Sequence, residues 1–334
     1  MNPPITIILP TLNERAHIRD CLDSLYSQDY DNIVAILVVD GGSTDGTRDI
    51  LEREGGIVRL VDNPRVTAAA AMNIGIAVCT TDLFVRVDAH TLYATDYVSR
   101  SVASSAETGA AVVGGPMRPV GTNPFGRAVA AVTTSPLGVG PGRFHYSESL
   151  EEVETVYLGI FHRQTVLDVG GYDETELQWA AEDQELNFRI RRSGGRIVLD
   201  PRIRSTYFPR NTPRSLARQY HNYGMCKAST LRKHRILPYW RPVAPALMIL
   251  AVALSVAGSI TFGYPWLAPV PFVVYAIAAL IVGLRMSRER GVTPHRVAMA
   301  LAICHWCYGL GFWRGVGRIV TFRRFDNSPK GGRR

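Results

Sequence analysis

The sequence predicts an α/β protein, with a mostly parallel sheet covered by helices on both faces and a helical hairpin in a membrane at its C-terminal end. Up to about residue 240, short and almost entirely apolar segments alternate with helical patterns. That alternation is typical of buried parallel strands joined by helices. After residue 240, no charged residue occurs between Arg241 and Arg285, and this stretch is long enough for two membrane crossings.

Within the globular part, four apolar segments are predicted as strands: 5–9, 33–40, 57–62 and 83–89. After the first, "TLNE" predicts a helix start, with Thr11 as the N-cap and Glu14 at the third helical position. Ligands of parallel α/β sheets bind at the carboxyl ends of the strands. Thr11, Asp40 and Asp88 all fall at such ends, which predicts a binding site there.

The C-terminal part is predicted to attach to a membrane. Two apolar stretches are each long enough for a helix to span a membrane, residues 243–262 and 265–284. The alternative is a buried helical pair in a soluble core. A third stretch, 297–313, has basic flanks on both sides, and such flanks stay in the cytoplasm. A re-entrant or interfacial helix is therefore favoured over a third span. The predicted domains are 1–235, catalytic, and 236–334, membrane-bound.

The net charge and the cysteines limit which partners and cofactors are expected. The formal net charge of the 334 residues is +8, which suits an anionic partner, and anionic membrane lipid explains it without nucleic acid. The five cysteines are scattered and predict no disulfide framework. Cys304 and Cys307 have zinc-like spacing, but no second pair accompanies them. The N-terminus lacks the basic region of a cleaved signal peptide.

Two acidic strand ends are candidates for binding chemistry. Asp40 precedes the glycine turn "GGSTDGT" and would either hydrogen-bond a nucleobase or ribose, or cap the next helix. Asp88 and His90 can face the same way at the strand end, because alternation places residues i and i+2 on one face, and a carboxylate with an imidazole can hold Mn²⁺ or Mg²⁺. The alternative is an ordinary strand end that reaches the surface.

Two further segments leave a structural and a chemical interpretation open. Glu182, Asp183 and Glu185 crowd the first turn of a predicted helix, where the helix dipole favours negative charge. Alternatively, Asp183 is a general base. In the basic segment 214–234, Arg218 and Lys227 would rest on anionic lipid, contact a diphosphate, or do both.

Taken together, five motifs resemble the family 2 glycosyltransferases with the GT-A fold. In order they are "ILPTLNE", "VVDGGSTDGT", "VRVDAH", "GGYDE" and "AAEDQELNFRIRRSG", and the resemblance covers about residues 4–235. Within that family the chain resembles membrane-anchored enzymes of the bacterial exopolysaccharide type, such as the succinoglycan glucosyltransferases. In those enzymes the metal-binding motif is also Asp-Ala-His.

The resemblance implies roles for particular residues. Nucleotide-sugar binding would fall to Pro10, Thr11, Glu14, Asp40, Gly41, Asp45, Asp88, Ala89, Arg218 and Lys227. Asp88 and His90 would bind the metal, Mn²⁺ or Mg²⁺. Asp183 would be the catalytic base, with Glu182 and Trp179 on the acceptor side.

The implied activity is inverting transfer of one sugar from a nucleotide-diphosphate sugar, usually with uracil as the base, to a lipid-linked acceptor such as a polyprenyl-borne glycan. The processive signature Q-x-x-R-W is missing, which favours single addition. The enzyme would be a multi-pass protein of the cytoplasmic membrane with its catalytic domain facing the cytoplasm. The alternatives are a polyprenyl-phosphate sugar synthase, a nucleotidyltransferase and a non-catalytic nucleotide-sugar-binding scaffold.

Overall fold

The computed structural model describes residues 2–140, 142–175, 181–235 and 243–321. By its internal contacts the described chain divides into two compact units. The first lies within Met1–Arg118 and Gly142–Tyr207, and the second within Pro119–Pro141 and Phe208–Arg334. These units differ from the predicted ranges 1–235 and 236–334, so the assignment of catalysis and membrane attachment to those ranges stays a prediction.

The strands are, in chain order, β1 (Ile5–Thr11), β2 (Ile33–Asp40), β3 (Val58–Asp62), β4 (Leu83–Arg86), β5 (Thr91–Tyr93), β6 (Val112–Gly115), β7 (Arg118–Pro119), β8 (Glu151–Glu152), β9 (Tyr157–His162), β10 (Ile197–Leu199) and β11 (Ser205–Tyr207). The main sheet has the order β3-β2-β1-β4-β9-β6-β10-β8. β3, β2, β1 and β4 run parallel, as predicted, whereas β9 is antiparallel to both β4 and β6. The sheet is therefore mixed.

The helices of the first unit are α1 (Ile18–Tyr26), α2 (Thr47–Leu51), α3 (Ala68–Val78), α4 (Tyr97–Thr108), α7 (Arg163–Asp168) and α8 (Glu182–Arg192); those of the second are α5 (Pro124–Thr133), α6 (Pro136–Val139), α9 (Pro213–His234), α10 (Ala244–Phe262), α11 (Val270–Arg290) and α12 (Pro294–Val320). In β1, Ile7 belongs to one apolar cluster with α1, and Ile8 belongs to another with α3. Both faces of the sheet are covered, which confirms the predicted layering.

The predicted helix start at Thr11 is wrong. Thr11 is the last residue of β1, where it pairs with Asp40 of β2 and its carbonyl accepts from the Gly41 amide at 2.9 Å. Because the parallel ladder extends this far, Thr11 cannot cap a helix. The helix begins only at Ile18, and Glu14 lies in the loop between.

In the second unit, α10 and the segment Pro265–Arg290, which includes α11, are long and apolar enough to cross a membrane. Most of their surface is exposed, with Ile260 at 78%. α12 is one continuous helix of 27 residues, longer than the predicted 297–313. It packs closely along α9, where a Cβ on Gly224 would meet the Tyr308 carbonyl at 2.0 Å. Whether α12 crosses a membrane stays a prediction.

Candidate functional site

The loops that follow β1 and β2 are bonded to each other at the carboxyl edge of the sheet. The Asn13 amide donates to Ser43 Oγ at 2.8 Å, and the Thr44 amide donates to Asn13 Oδ1 at 2.8 Å. Farther along, the Glu14 amide donates to Thr47 Oγ1 at 2.9 Å. The segments "TLNE" and "GGSTDGT" therefore form one edge, which places the predicted residues Thr11, Glu14, Asp40 and Asp45 in a single region of the first unit.

Asp40 is fully buried and holds the turn that follows it. Its Oδ2 accepts from the amides of Gly42 and Ser43, each at 3.0 Å, and its Oδ1 accepts from the Ser43 hydroxyl at 2.5 Å. Arg48 Nη1 lies 3.5 Å from Oδ2 and 2.7 Å from the exposed Asp62. Asp40 thus fixes the shape of this loop, and its predicted contact with a nucleobase stays a prediction.

Asp45 supports the same loop. Burial acts to raise its pKa, but hydrogen bonds from Thr47 and from the Arg15 amide outweigh burial and lower the pKa of this carboxyl. Thr47 Oγ1 donates to Asp45 Oδ1 at 2.5 Å, and the Arg15 amide donates to Oδ2 at 3.1 Å. Asp45 is therefore an ionised anchor between the two loops, and its assignment to nucleotide-sugar binding stays a prediction.

The third element of the edge is the segment after β4. The strand ends at Arg86, and the Thr91 amide closes a turn onto the Asp88 carbonyl at 3.2 Å. The premise that strand alternation would aim Asp88 and His90 the same way is therefore wrong. They are brought to the edge by other contacts: the Asp88 amide donates to the Tyr93 hydroxyl at 2.7 Å, and His90 Nδ1 lies 3.4 Å from Glu14 Oε1.

The chemistry of Asp88 and His90 fits a divalent cation. They offer one carboxylate and one imidazole, and the Asp88 side chain is 20% exposed. Across the residues that the structure describes, no cluster of three or more His, Cys, Asp or Glu side chains could hold a metal ion. Two protein ligands leave positions open for phosphate oxygens and water, as Mg²⁺ commonly requires, and the imidazole suits Mn²⁺.

The beginning of α8, which carries the predicted base Asp183, contacts the buried Arg86 of β4. Glu182 is the first residue of α8 and is 6% exposed. Arg86 Nη2 donates to Glu182 Oε1 at 3.0 Å, and Arg86 Nε lies 3.8 Å from Asp88 Oδ1. Asp183 follows Glu182 and is half-buried. The guanidinium therefore links Asp88 to Glu182, and Asp183 is the next residue of α8.

Sequence reasoning missed the residues that hold this cluster. Of these residues, Arg86 could have been recognised from the sequence, because an arginine inside the apolar run "VRVD" needs a buried partner. The "GGYDE" motif is held by Asn73: its Nδ2 donates to the Tyr172 carbonyl at 2.9 Å, and its Oδ1 accepts from the Tyr172 amide at 2.8 Å. The Tyr172 ring centroid lies 5.8 Å from the Arg86 guanidinium carbon.

The remaining predicted residues lie as follows. Pro10 is the penultimate residue of β1, Gly41 follows β2 directly, and Ala89 is buried in the turn between Asp88 and His90. Arg218, exposed, and Lys227, half-buried, are both on α9 in the second unit. Trp179 falls outside the described residues. The roles assigned to all these residues stay predictions.

Replacing Asp40 tests its role in the loop independently of any ligand. Asp40→Asn can keep one oxygen for the Gly42 and Ser43 amides, but it removes the negative charge that strengthens these hydrogen bonds and the attraction to Arg48. We expect the free energy of unfolding to fall by about 1–3 kcal/mol, the usual contribution of hydrogen bonds to a charged group. Urea denaturation measures the change.

Asp62→Asn is the matched control for Asp40→Asn, because Asp62 pairs with the same Arg48 but its side chain is 74% exposed. We expect its effect to stay within about 0.5 kcal/mol. Equal effects of the two substitutions would contradict the anchoring role of Asp40.

The fold and site define an α/β class of protein with acidic loops at the carboxyl edge of a mixed sheet, and comparison with known proteins names the family. The family model "Glycosyl transferase family 2" matches residues 6–157. Succinoglycan biosynthesis protein ExoA of Rhizobium meliloti (strain 1021) is 33% identical over 324 residues, which are 95% of this chain and 96% of that protein. The chain belongs to the family 2 glycosyltransferases.

A further relative and two solved structures are also similar to this chain. The dolichyl N-acetyl-alpha-D-glucosaminyl phosphate 3-beta-D-2,3-diacetamido-2,3-dideoxy-beta-D-glucuronosyltransferase of Methanococcus voltae is 25% identical and covers 93% of this chain and 97% of its own length. The mannosyltransferase PcManGT of Pyrobaculum calidifontis, solved with GDP-Man and Mn²⁺, has a TM-score of 0.59 at 21% identity, covering 94% of this chain and 88% of its own. S. aureus TarS 1-349, solved with UDP, has a TM-score of 0.51 at 18% identity, covering 93% and 91%. These structural likenesses establish the GT-A fold.

Proposed function

We propose that this glycosyltransferase transfers a single sugar, with inversion, from a UDP-sugar to a hydroxyl of a lipid-linked glycan at the cytoplasmic face of the membrane, in the synthesis of a polysaccharide or another cell-envelope glycan. The observation that carries the proposal is the cluster around Arg86. It links a candidate metal ligand, Asp88, to the buried Glu182, whose neighbour in the chain is the half-buried candidate base Asp183. A hydroxyl acceptor needs both a base and a stabilised leaving group.

In this mechanism Asp183 accepts the proton of the acceptor hydroxyl. The acceptor oxygen then forms its bond to the anomeric carbon while the bond from that carbon to the diphosphate breaks. Attack from the face opposite the diphosphate inverts the anomeric configuration in one displacement. Bound Mn²⁺ or Mg²⁺, held by Asp88 and His90, would supply positive charge for the departing diphosphate.

The other residues of the edge bind the donor in this proposal. Thr11 and Pro10 end the strand against which the nucleoside would lie, and Asp40 and Asp45 fix the loop beside it. The complex of TarS with UDP supports a uridine nucleotide, although the mannosyltransferase neighbour binds GDP-Man. The Mn²⁺ in that mannosyltransferase complex supports Mn²⁺ here, and Mg²⁺ stays the alternative.

The acceptor is proposed from the relatives and from the apolar helices. The names of two relatives mention succinoglycan biosynthesis and a dolichyl-linked sugar phosphate, which supports a lipid-borne sugar as the acceptor. As a membrane hairpin, α10 and α11 would hold the enzyme on the same surface as a lipid-borne acceptor. This would raise the effective concentration of the acceptor near the enzyme. α12 would lie at the interface or re-enter, with its basic flanks in the cytoplasm.

Nucleotide release by the detergent-solubilised protein tests the proposal. UDP-, GDP- and dTDP-sugars would be offered with Mn²⁺ or Mg²⁺, with and without EDTA, and with and without a bacterial membrane lipid extract. We expect release from a UDP-sugar that EDTA abolishes and the lipid extract raises. Release of GDP or dTDP instead would overturn the donor assignment.

Two rivals give different outcomes in the same assay. A polyprenyl-phosphate sugar synthase attacks with a phosphate, which needs no base, so purified polyprenyl phosphate alone would act as its acceptor. A scaffold would bind UDP in calorimetry and release nothing from any donor.

A further inference from the structure

A buried arginine ends one of the central strands of the first unit's sheet. Arg86 is 7% exposed and pairs in register with Ile8 of β1 and with Gly159 of β9. Its neighbours Val85 and Val87 both belong to the same apolar cluster, so the Arg86 side chain lies on the opposite face of the sheet. A charged group in this position is strongly destabilising unless it is paired.

The partners of Arg86 come from two segments that are far apart in the sequence. Nη2 donates to Glu182 Oε1 at 3.0 Å, across a separation of 96 residues. Nε lies 3.8 Å from Oδ1 of Asp88, in the turn that follows the strand. The guanidinium therefore joins the turn after β4 to the beginning of α8.

The beginning of α8 depends on such a contact. Ala181, the residue before the helix, has φ 61°, which is the left-handed region that side-chain-bearing residues rarely adopt, and no side chain caps the helix. The next turn has its own anchor, because Arg189 pairs with Glu185 and donates to the Gly171 carbonyl at 2.6 Å. Glu182 ties the first turn to the sheet through Arg86.

We propose that Arg86 is a positioning residue for transfer, which fixes the location of Asp183 relative to the donor-side carboxylate Asp88. This inference rests on the proposed function, since it takes Asp183 as the base. Arginine suits the task because its extended guanidinium donates from Nη2 to Glu182 while Nε carries positive charge 3.8 Å from Asp88 Oδ1, whereas lysine has a single ammonium centre.

The charges of the cluster agree with this role. Burial raises the pKa of the Glu182 carboxyl, Arg86 counteracts the rise, and the charge of Asp183 adds to it. Arg86 thus favours the ionised Glu182 that its own charge requires. Each group makes the burial of the other tolerable.

Arg86→Lys tests the proposal with three measurements. We expect kcat for nucleotide release from the UDP-sugar to fall by about 100-fold, the usual cost of displacing a reacting group by about 1 Å. Calorimetric binding of UDP with Mn²⁺ should change little, because Tyr93 holds both the amide and the carbonyl of Asp88. Hydrogen–deuterium exchange should become faster at residues 182–186.

Arg202→Lys is the matched control. Arg202 also binds a buried carboxylate at the end of a strand, since its Nη2 lies 2.8 Å from Asp200 Oδ2. We expect it to leave kcat and the exchange of α8 unchanged. Unchanged kcat and exchange in Arg86→Lys as well would overturn the proposal.

A second variant separates positioning from stability. Arg86→Met with Glu182→Leu removes both buried charges, and such replacements commonly preserve stability. We expect normal thermal unfolding together with a kcat that stays about 100-fold low. Recovery of wild-type kcat in this double variant would overturn the positioning role.

The Asp183→Asn background distinguishes failure of this inference from failure of the proposed function. If Arg86 acts through Asp183, Arg86→Lys adds little once Asp183 is replaced, because the two effects are not additive. Full transfer by Asp183→Asn would overturn the base assignment and with it the catalytic part of the inference. Loss of transfer in Asp183→Asn with normal transfer in Arg86→Lys would overturn the inference alone.

Discussion

Asp183→Asn should lower kcat for sugar transfer by about 100- to 10,000-fold, the contribution that a positioned general base usually makes. The change removes the proton-accepting charge and little else. Asn keeps the size of the side chain and the oxygen that accepts from the Gln184 amide at 2.7 Å. Steady-state release of nucleotide from the donor measures kcat, and KM for the donor should stay near the wild-type value.

Asp168→Asn is the matched control, because Asp168 is an exposed carboxylate at the end of α7 in the same unit. It should leave kcat unchanged. If Asp183→Asn transfers at the wild-type rate, the acceptor nucleophile needs no base at this position. That result would favour a phosphate acceptor and the polyprenyl-phosphate rival.

The strands and the site's edge could be predicted because each depends on a short segment. β2 is an uninterrupted apolar run that ends in Asp40, and its observed bounds, Ile33–Asp40, are those expected. Neighbouring parallel strands end at the same edge of a sheet, so Thr11 and Asp40 could be expected to lie close together there. They pair in register. Local pattern and simple sheet geometry are sufficient for these features.

Other features depend on pairings between distant residues, which no local pattern contains. "TLNE" has the composition of a capping box, but the ladder between Thr11 and Asp40 takes the place of a helix start. The antiparallel β9 inserts beside β4, because its partner is chosen by long-range packing. Arg86 and Glu182 are 96 residues apart, so their pairing could be suspected from "VRVD" but not assigned.

The pair Asp88 and His90 shows how a choice of residues can be chemically reasonable while its geometric premise is wrong. The choice followed from residue chemistry, a carboxylate and an imidazole near a strand end. The expected geometry required a strand that continued beyond Arg86. Instead a turn presents both residues, and Tyr93 and Glu14 contact them from other segments. Their binding of a metal stays a prediction.

Asp88→Asn should weaken Mn²⁺ binding in the presence of UDP by at least about 100-fold, since even a residue behind a metal ligand contributes about 10- to 100-fold. Asn keeps the shape and leaves the backbone contacts to Tyr93 intact. Titration calorimetry of Mn²⁺ into protein saturated with UDP measures the change. Asp82→Asn is the control, because Asp82 is an exposed carboxylate just before the other end of β4.

His90 should set which metal is preferred rather than whether one binds. An imidazole nitrogen favours Mn²⁺ over Mg²⁺, whereas carboxylate oxygens suit Mg²⁺. His90→Asp should therefore retain metal-dependent nucleotide release and shift the ratio of rates with Mn²⁺ and Mg²⁺ toward Mg²⁺. An unchanged ratio would place His90 outside the metal's ligands, with Glu14 as its structural partner at 3.4 Å. Wild-type Mn²⁺ binding by Asp88→Asn would show that Asp88 serves the donor without contacting the metal.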